Sequence, residues 1–162
     1  MKRIGLYILL AALCIACNTA KNNLNESNDI PDFVVDALQN KNITVVVNQM
    51  QPQRYYSRDI YSYHYIKINQ ETLISDLPYL GQVQTPSAYS SITKGLNFTE
   101  VIRQYEQVHN PRKKRTEINI IVKNDEDSYL YRIFIYYNGN AEIMVKPTKR
   151  DYIRFYGQLI QD

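Results

Sequence analysis

Residues 129–146, YLYRIFIYYNGNAEIMVK, restrict this chain more than any other stretch. Two segments of alternating apolar and polar character meet at Asn138-Gly139-Asn140, where positive φ costs Gly nothing and Asn little. That pattern predicts an antiparallel hairpin with its reversal at Gly139. Period-two alternation places successive side chains on opposite faces, so a helix is excluded here and the neighbouring segments must supply a sheet.

The same alternation recurs along the chain. Residues 43–48 (ITVVVN) are β-branched and continuous, as in a strand covered on both faces. Residues 49–59, with Pro52 and two arginines, read as a loop. In residues 60–69, Ile60, Ser62, His64, Ile66 and Ile68 share one face, and Tyr61, Tyr63, Tyr65 and Lys67 the other. Further strands are expected over 72–76, 96–109, 116–123 and 151–159, with a kink at Leu77-Pro78-Tyr79-Leu80-Gly81 and an unpatterned loop over 82–94. Before them, Asp29 is placed to cap, and Phe33, Val34, Ala37 and Leu38 to pack, one short helix ending near Gln39. The expected fold is therefore mainly β: an antiparallel meander of about eight strands curling into a barrel or half-barrel, with one short N-terminal helix. Fifteen tyrosines and no tryptophan agree, because tyrosine suits half-buried pleated surfaces.

The N-terminus carries a separate signal. Lys2 and Arg3 precede an apolar run over 4–13, too short for a comfortable membrane span, and then Cys14-Ile15-Ala16-Cys17. This resembles a bacterial lipoprotein signal peptide, with cleavage after Ala16 and acylation of Cys17. Residues 1–16 are then a signal peptide, the Asn-rich residues 17–28 a flexible tether, and residues 29–162 a single β-rich domain. Asn18 in place of Asp resembles an outer-membrane sorting signal, so the expected location is the outer membrane, lipid-anchored and facing the periplasm. Without Lys2 and Arg3 the 19 basic side chains become 17 against 16 acidic ones, which argues against a nucleic-acid partner. Both cysteines, Cys14 and Cys17, lie in the leader region ahead of the domain, so the domain has no disulfide and no thiolate metal site.

Three separated motifs carry a family resemblance: Leu77-Pro78-Tyr79-Leu80-Gly81; Asn138-Gly139-Asn140-Ala141 with Val145; and Arg150-Asp151-Tyr152-Ile153-Arg154-Phe155-Tyr156-Gly157. From the helix near Pro31 to Ile160 the chain resembles the domain of unknown function family numbered 4251, found in lipoproteins of Bacteroides-like bacteria. The resemblance implies a β fold with lipocalin-like topology and no established activity. Leu80 stands where that family more often has Phe, and the Gly-x-Trp hallmark of true lipocalins is missing, so lipocalin ligands do not carry over.

Candidate sites are few. Tyr61, Tyr63 and Tyr65, with His64 between them, form either a flat ligand-binding face or, as the preferred reading, a packed cross-strand row. Tyr129, Tyr131 and Tyr137 pose the same choice. His64 is expected to be a buried, hydrogen-bonded imidazole; with a carboxylate such as Asp76 it could instead serve a hydrolase. Arg112, Lys113, Lys114 and Arg115 form a basic tip able to contact anionic head groups, although such tips are usually only solvated. The acidic residues 125–127 lack the Gly and spacing of a calcium loop. No nucleophile elbow, phosphate-cradling loop or metal-ligand spacing occurs, and no cofactor is expected. The expected function is that of a non-catalytic envelope lipoprotein binding a ligand or protein partner; an envelope hydrolase and a purely structural protein are the alternatives.

Overall fold

The computed structural model describes residues 30–82 and 95–161. The leader, Cys17, the tether, Asp29 and most of the loop expected over 82–94 lie outside the described residues. Helix α1 spans Asp32–Asn40, followed by strands β1 (Asn42–Pro52), β2 (Arg58–Asn69), β3 (Thr72–Leu77), β4 (Leu96–Val101), β5 (Gln104–Asn110), β6 (Arg115–Lys123), β7 (Ser128–Tyr136), β8 (Asn140–Pro147) and β9 (Ile153–Ile160).

All nine strands form one antiparallel sheet in the order β4-β3-β2-β1-β9-β8-β7-β6-β5. Two meanders are thus joined through the first and last strands, and β4 and β5 become the two edges. The stretch 96–109, expected as one strand, breaks at Ile102 and Arg103. Its first part pairs with β3 and its second with β6. The bent chain therefore links the two edges and draws the sheet into a curled half-barrel. Ile102 N–H donates to the Glu71 carbonyl (2.7 Å) and Arg103 N–H to the Ile121 carbonyl (2.9 Å), tying the break to both sides.

Side chains fill the interior. Ile43 and Val45 on β1, Ile66 and Ile68 on β2, Ile118 and Ile120 on β6, Ile133 on β7, Ile143 on β8 and Phe155 on β9 are all sealed from solvent. The Tyr131 hydroxyl on β7 donates to Ser75 Oγ on β3 (2.9 Å), and the Phe98 ring on β4 packs 4.9 Å from that of Tyr129 on β7. These contacts span the barrel, so its centre is a core and not a lipocalin-type calyx. Burial and the bond to Ser75 hold Tyr131, and burial drives its pKa up from the usual 10. Helix α1 lays Val34 and Leu38 into this core, while Phe33 faces Gly139, whose φ is +83° as the hairpin requires. Pro31 occupies the cap position without a side-chain cap, and Lys41 in the left-handed conformation ends the helix.

One expectation about the first hairpin is corrected. The residues read as loop over 49–59 are largely strand: β1 continues to Pro52 and β2 starts at Arg58, leaving 53–57 as the turn. Pro52 is tolerated because it ends the strand.

At the end of the barrel near that turn, the motif residues meet. Tyr79 O–H donates to the Asp151 carbonyl (3.0 Å), Gln82 N–H to Asp151 Oδ2 (3.1 Å), and Arg54 Nε to the same oxygen (2.8 Å). The Arg150 guanidinium lies 5.4 Å from the centre of the Tyr79 ring. Burial, with the Asp151 charge second, pushes the Tyr79 hydroxyl up to about 12. Leu77-Pro78-Tyr79-Leu80-Gly81 and Arg150-Asp151 therefore act together as a polar plug that ties the 53–57 turn and the segment after β3 to the residues before β9, which is a structural task.

Candidate functional site

The register of β2 on β1 jumps from Val47↔His64 to Gln49↔Asp59, so residues 60–63 lie opposite the single Asn48. This wide bulge turns tyrosines outward. Tyr61 is 96% exposed and Tyr63 64%, and Tyr56 in the adjoining turn reaches 94%. Tyr65 is half-buried, with its ring 5.5 Å from that of Tyr63. The preferred reading of 61, 63 and 65 as a packed row is thus corrected: the bulge breaks the pairing that would have buried them. For Tyr129, Tyr131 and Tyr137 the packed reading describes what is found, since all three are buried.

His64 is not the sealed, hydrogen-bonded imidazole expected. Its side chain is partly exposed, and Nδ1 lies 3.6 Å from Asp76 Oδ1, beyond hydrogen-bond length. Nδ1 has no hydrogen-bond partner. The acid named from sequence does lie beside it, yet no described Ser or Thr hydroxyl bonds the ring.

The basic tip is divided. Arg112 and Lys113 are exposed on a 3-10 turn (Pro111–Lys113), whose Lys113 N–H is capped by Asn110 Oδ1 (3.1 Å), and Lys114 closes the turn with φ 46°. Arg115 departs from the expected patch: it lies half-buried in β6, 4.0 Å above the Phe134 ring centre. Its guanidinium lies on that face, 4.0 Å from the Glu117 carboxylate and donating to the Tyr136 hydroxyl (3.5 Å).

His109 on β5 is the better-held imidazole. Nδ1 lies 3.1 Å from Thr116 Oγ1 and Nε2 3.0 Å from the Tyr137 hydroxyl. Burial lowers its pKa below the ordinary 6.5. A folded value below the unfolded one means that the unfolded chain takes up more protons in between, so the contribution of this site to stability is complete above pH 6.5 and is lost as pH falls from there through the folded pKa. The His109 C2 proton is expected to titrate below 6.5 by NMR, and the urea midpoint of His109→Gln to fall less than that of the native chain between pH 7.5 and 5.5. A midpoint at or above 6.5 would contradict this.

Sequence reasoning missed a cleft of about 580 Å³ between β4 and the β6–β7 turn, lined by Asn97, Phe98, Glu100, Arg103, Lys123 and Asp125 among others. It opens where the chain of β4 and β5 switches edges. Tyr129 stands at its inner wall, and burial raises its hydroxyl pKa above 10. The available signal was parity: Leu96, Phe98 and Glu100 alternate onto one side of β4, and Glu100 registers against fully buried Leu73. A carboxylate on an inward position is the informative exception to the pattern.

Among the described residues no group of three or more His, Cys, Asp or Glu side chains could hold a metal ion, and no helix is long and apolar enough to cross a membrane.

Among the described residues, a nine-stranded antiparallel sheet curled over a filled core, with one short helix, defines a half-barrel β domain. The chain belongs to the DUF4251 family, a domain of unknown function whose model matches residues 26–159. It is similar to the crystal structure of a DUF4251 family protein from Bacteroides eggerthii DSM 20697, with a TM-score of 0.62 and 13% identity over 80% of this chain and 86% of that one. At that identity the likeness shows a shared fold. No curated protein matches the chain.

Proposed function

We propose that this chain is a lipid-anchored lipoprotein of the bacterial outer membrane, facing the periplasm, whose β domain binds an envelope protein partner without catalysing a reaction. The leader motif ending in Ala16-Cys17 supports the anchor. The observation that carries the binding role is the tyrosine ridge: Tyr56, Tyr61 and Tyr63 stand exposed together on one bulged hairpin. Tyrosines offer large contact area at low entropic cost, and such exposure on a core-forming sheet fits recognition better than packing.

Labelled palmitate is expected to enter the native chain and not Cys17→Ala, which should leave the membrane fraction. A photo-crosslinking residue at position 61 or 63 is expected to trap one discrete envelope protein, and the same group at Glu106 on β5 to trap none. Absence of label removes the anchor; absence of an adduct specific to 61 and 63 removes the partner.

The second reading, an envelope hydrolase, is favoured by one distance, the 3.6 Å between His64 and Asp76. It requires His64→Ala to abolish turnover of an ester or amide panel by the purified chain; equal turnover by both, or none by either, removes it.

A further inference from the structure

We propose that the cleft beside β4 is a binding site for a short peptide with both termini free, separate from the tyrosine ridge and independent of the anchor. Five charged residues line it. Glu126 is engaged by Arg150 (3.5 Å), whereas no hydrogen bond or ion pair joins the side chains of Glu100, Arg103, Lys123 and Asp125 to another described residue. Two carboxylates and two cations sharing one cleft without pairing leave complementary charges to be supplied from outside.

The mixture of signs selects the ligand class. A phosphate meets repulsion from Glu100 and Asp125, and a polyamine meets it from Arg103 and Lys123. A neutral sugar would desolvate all four charges and neutralise none. A zwitterion satisfies both signs at once: its ammonium is held by the carboxylates and its carboxylate by the guanidinium and ammonium, through charge-assisted hydrogen bonds. Phe98, half-exposed and packed 4.9 Å from the Tyr129 ring, gives an aromatic wall for an apolar side chain of the ligand. Asn97 adds an amide group suited to a peptide backbone, while the Asn124 oxygen is held within the turn by Glu126 N–H and Asp127 N–H. The volume of about 580 Å³ falls in the range of small-ligand clefts, which begins near ~300 Å³.

The test is calorimetric titration of the purified full chain with the tripeptide Ala-Phe-Ala, its N-acetylated form and its C-amidated form, beside inorganic phosphate, spermidine and N-acetylglucosamine. The free tripeptide is expected to bind and each capped form at least tenfold more weakly. Glu100→Gln should weaken the free tripeptide about tenfold while leaving the N-acetylated form unchanged, and Arg103→Gln should likewise weaken the free tripeptide while leaving the C-amidated form unchanged. Glu106→Gln, on β5 outside the cleft, should bind as the native chain does. The proposal is overturned if the free tripeptide gives no binding, if capped and free forms bind alike, if both cleft variants keep native affinity, or if phosphate, spermidine or the sugar binds more tightly than the peptide.

Discussion

Gly157→Ala is expected to be the most damaging single-methyl change in the domain. Gly157 lies on β9 directly opposite Val47, at the point where β1 is bulged by Asn48. A Cβ at Gly157 would overlap the Val46 carbonyl oxygen and stand 2.8 Å from both the Val46 carbonyl carbon and the Val47 Cα. These are backbone atoms of a central strand, so no side-chain rotation can relieve the clash. Either β1 and β9 separate or the bulge is lost. Overpacking in a core costs about 1–3 kcal/mol, and a clash with backbone belongs at or above the upper end. Against a typical stability of ~5–15 kcal/mol, that lowers the urea midpoint substantially. A midpoint within error of the native one would show that the two strands do not approach this closely. Gly139→Asn provides the contrast: φ there is +83°, which Asn accepts better than other side chains, and a Cβ would meet only the Phe33 ring at 3.2 Å. It should cost less.

Much of the fold could be read from the sequence because one face of each strand is buried, and burial writes its period into the residues. The 129–146 hairpin, the reversal at Gly139 and the inward side of β6 through β9 all follow from alternation. The order of the strands did not follow, because alternation says which way a residue faces and nothing about which neighbour it faces. The pairing of β1 with β9 depends on contacts more than a hundred residues apart. The bulge opposite Asn48 was equally hidden: residues 60–69 alternate without interruption, yet only 64–69 pair in continuous register with β1. Tyr61 and Tyr63 were assigned the correct face but the wrong burial, since the face away from the core is exposed once cross-strand neighbours are withdrawn. The cleft was missed for a related reason. Residues 96–109 read as one strand hide the break at Ile102 and Arg103, and with it the gap in which Glu100 sits. The Leu77–Gly81 and Arg150–Gly157 motifs were visible as motifs, while their meeting around Tyr79 and Asp151 required the closed sheet.

Asp127→Ala is expected to be the second large loss, and it tests the acidic residues 125–127, which from sequence look like one solvated cluster. They are not equivalent. Asp125 and Glu126 are exposed, whereas Asp127 is buried to 4%. Its Oδ1 accepts from Ser128 N–H (2.7 Å), Thr148 N–H (3.1 Å) and the Thr148 hydroxyl, and its Oδ2 from Lys149 N–H (3.1 Å). One carboxylate thus joins the β6–β7 turn to the β8–β9 connection and satisfies three backbone donors. Alanine would leave Ser128 N–H and Lys149 N–H without an acceptor, Thr148 N–H keeping the Ser128 carbonyl (3.0 Å), at about 1–3 kcal/mol for each buried group; partial access of water to the turn brings the expected total to ~3 kcal/mol. Asparagine separates geometry from charge. Its oxygen can take over the three donors at Oδ1, but its NH₂ then faces Lys149 N–H, donor against donor, so Asp127→Asn should fall between the native chain and Asp127→Ala. Asp125→Ala, two positions away and without these bonds, should leave stability within ~0.5 kcal/mol of native. Urea denaturation of the three variants decides the matter: equal midpoints for Asp125→Ala and Asp127→Ala would mean that the carboxylate ties nothing together. A drop confined to position 127, graded from Asn to Ala, is the signature of a clamp built from one acid and the backbone of two connections.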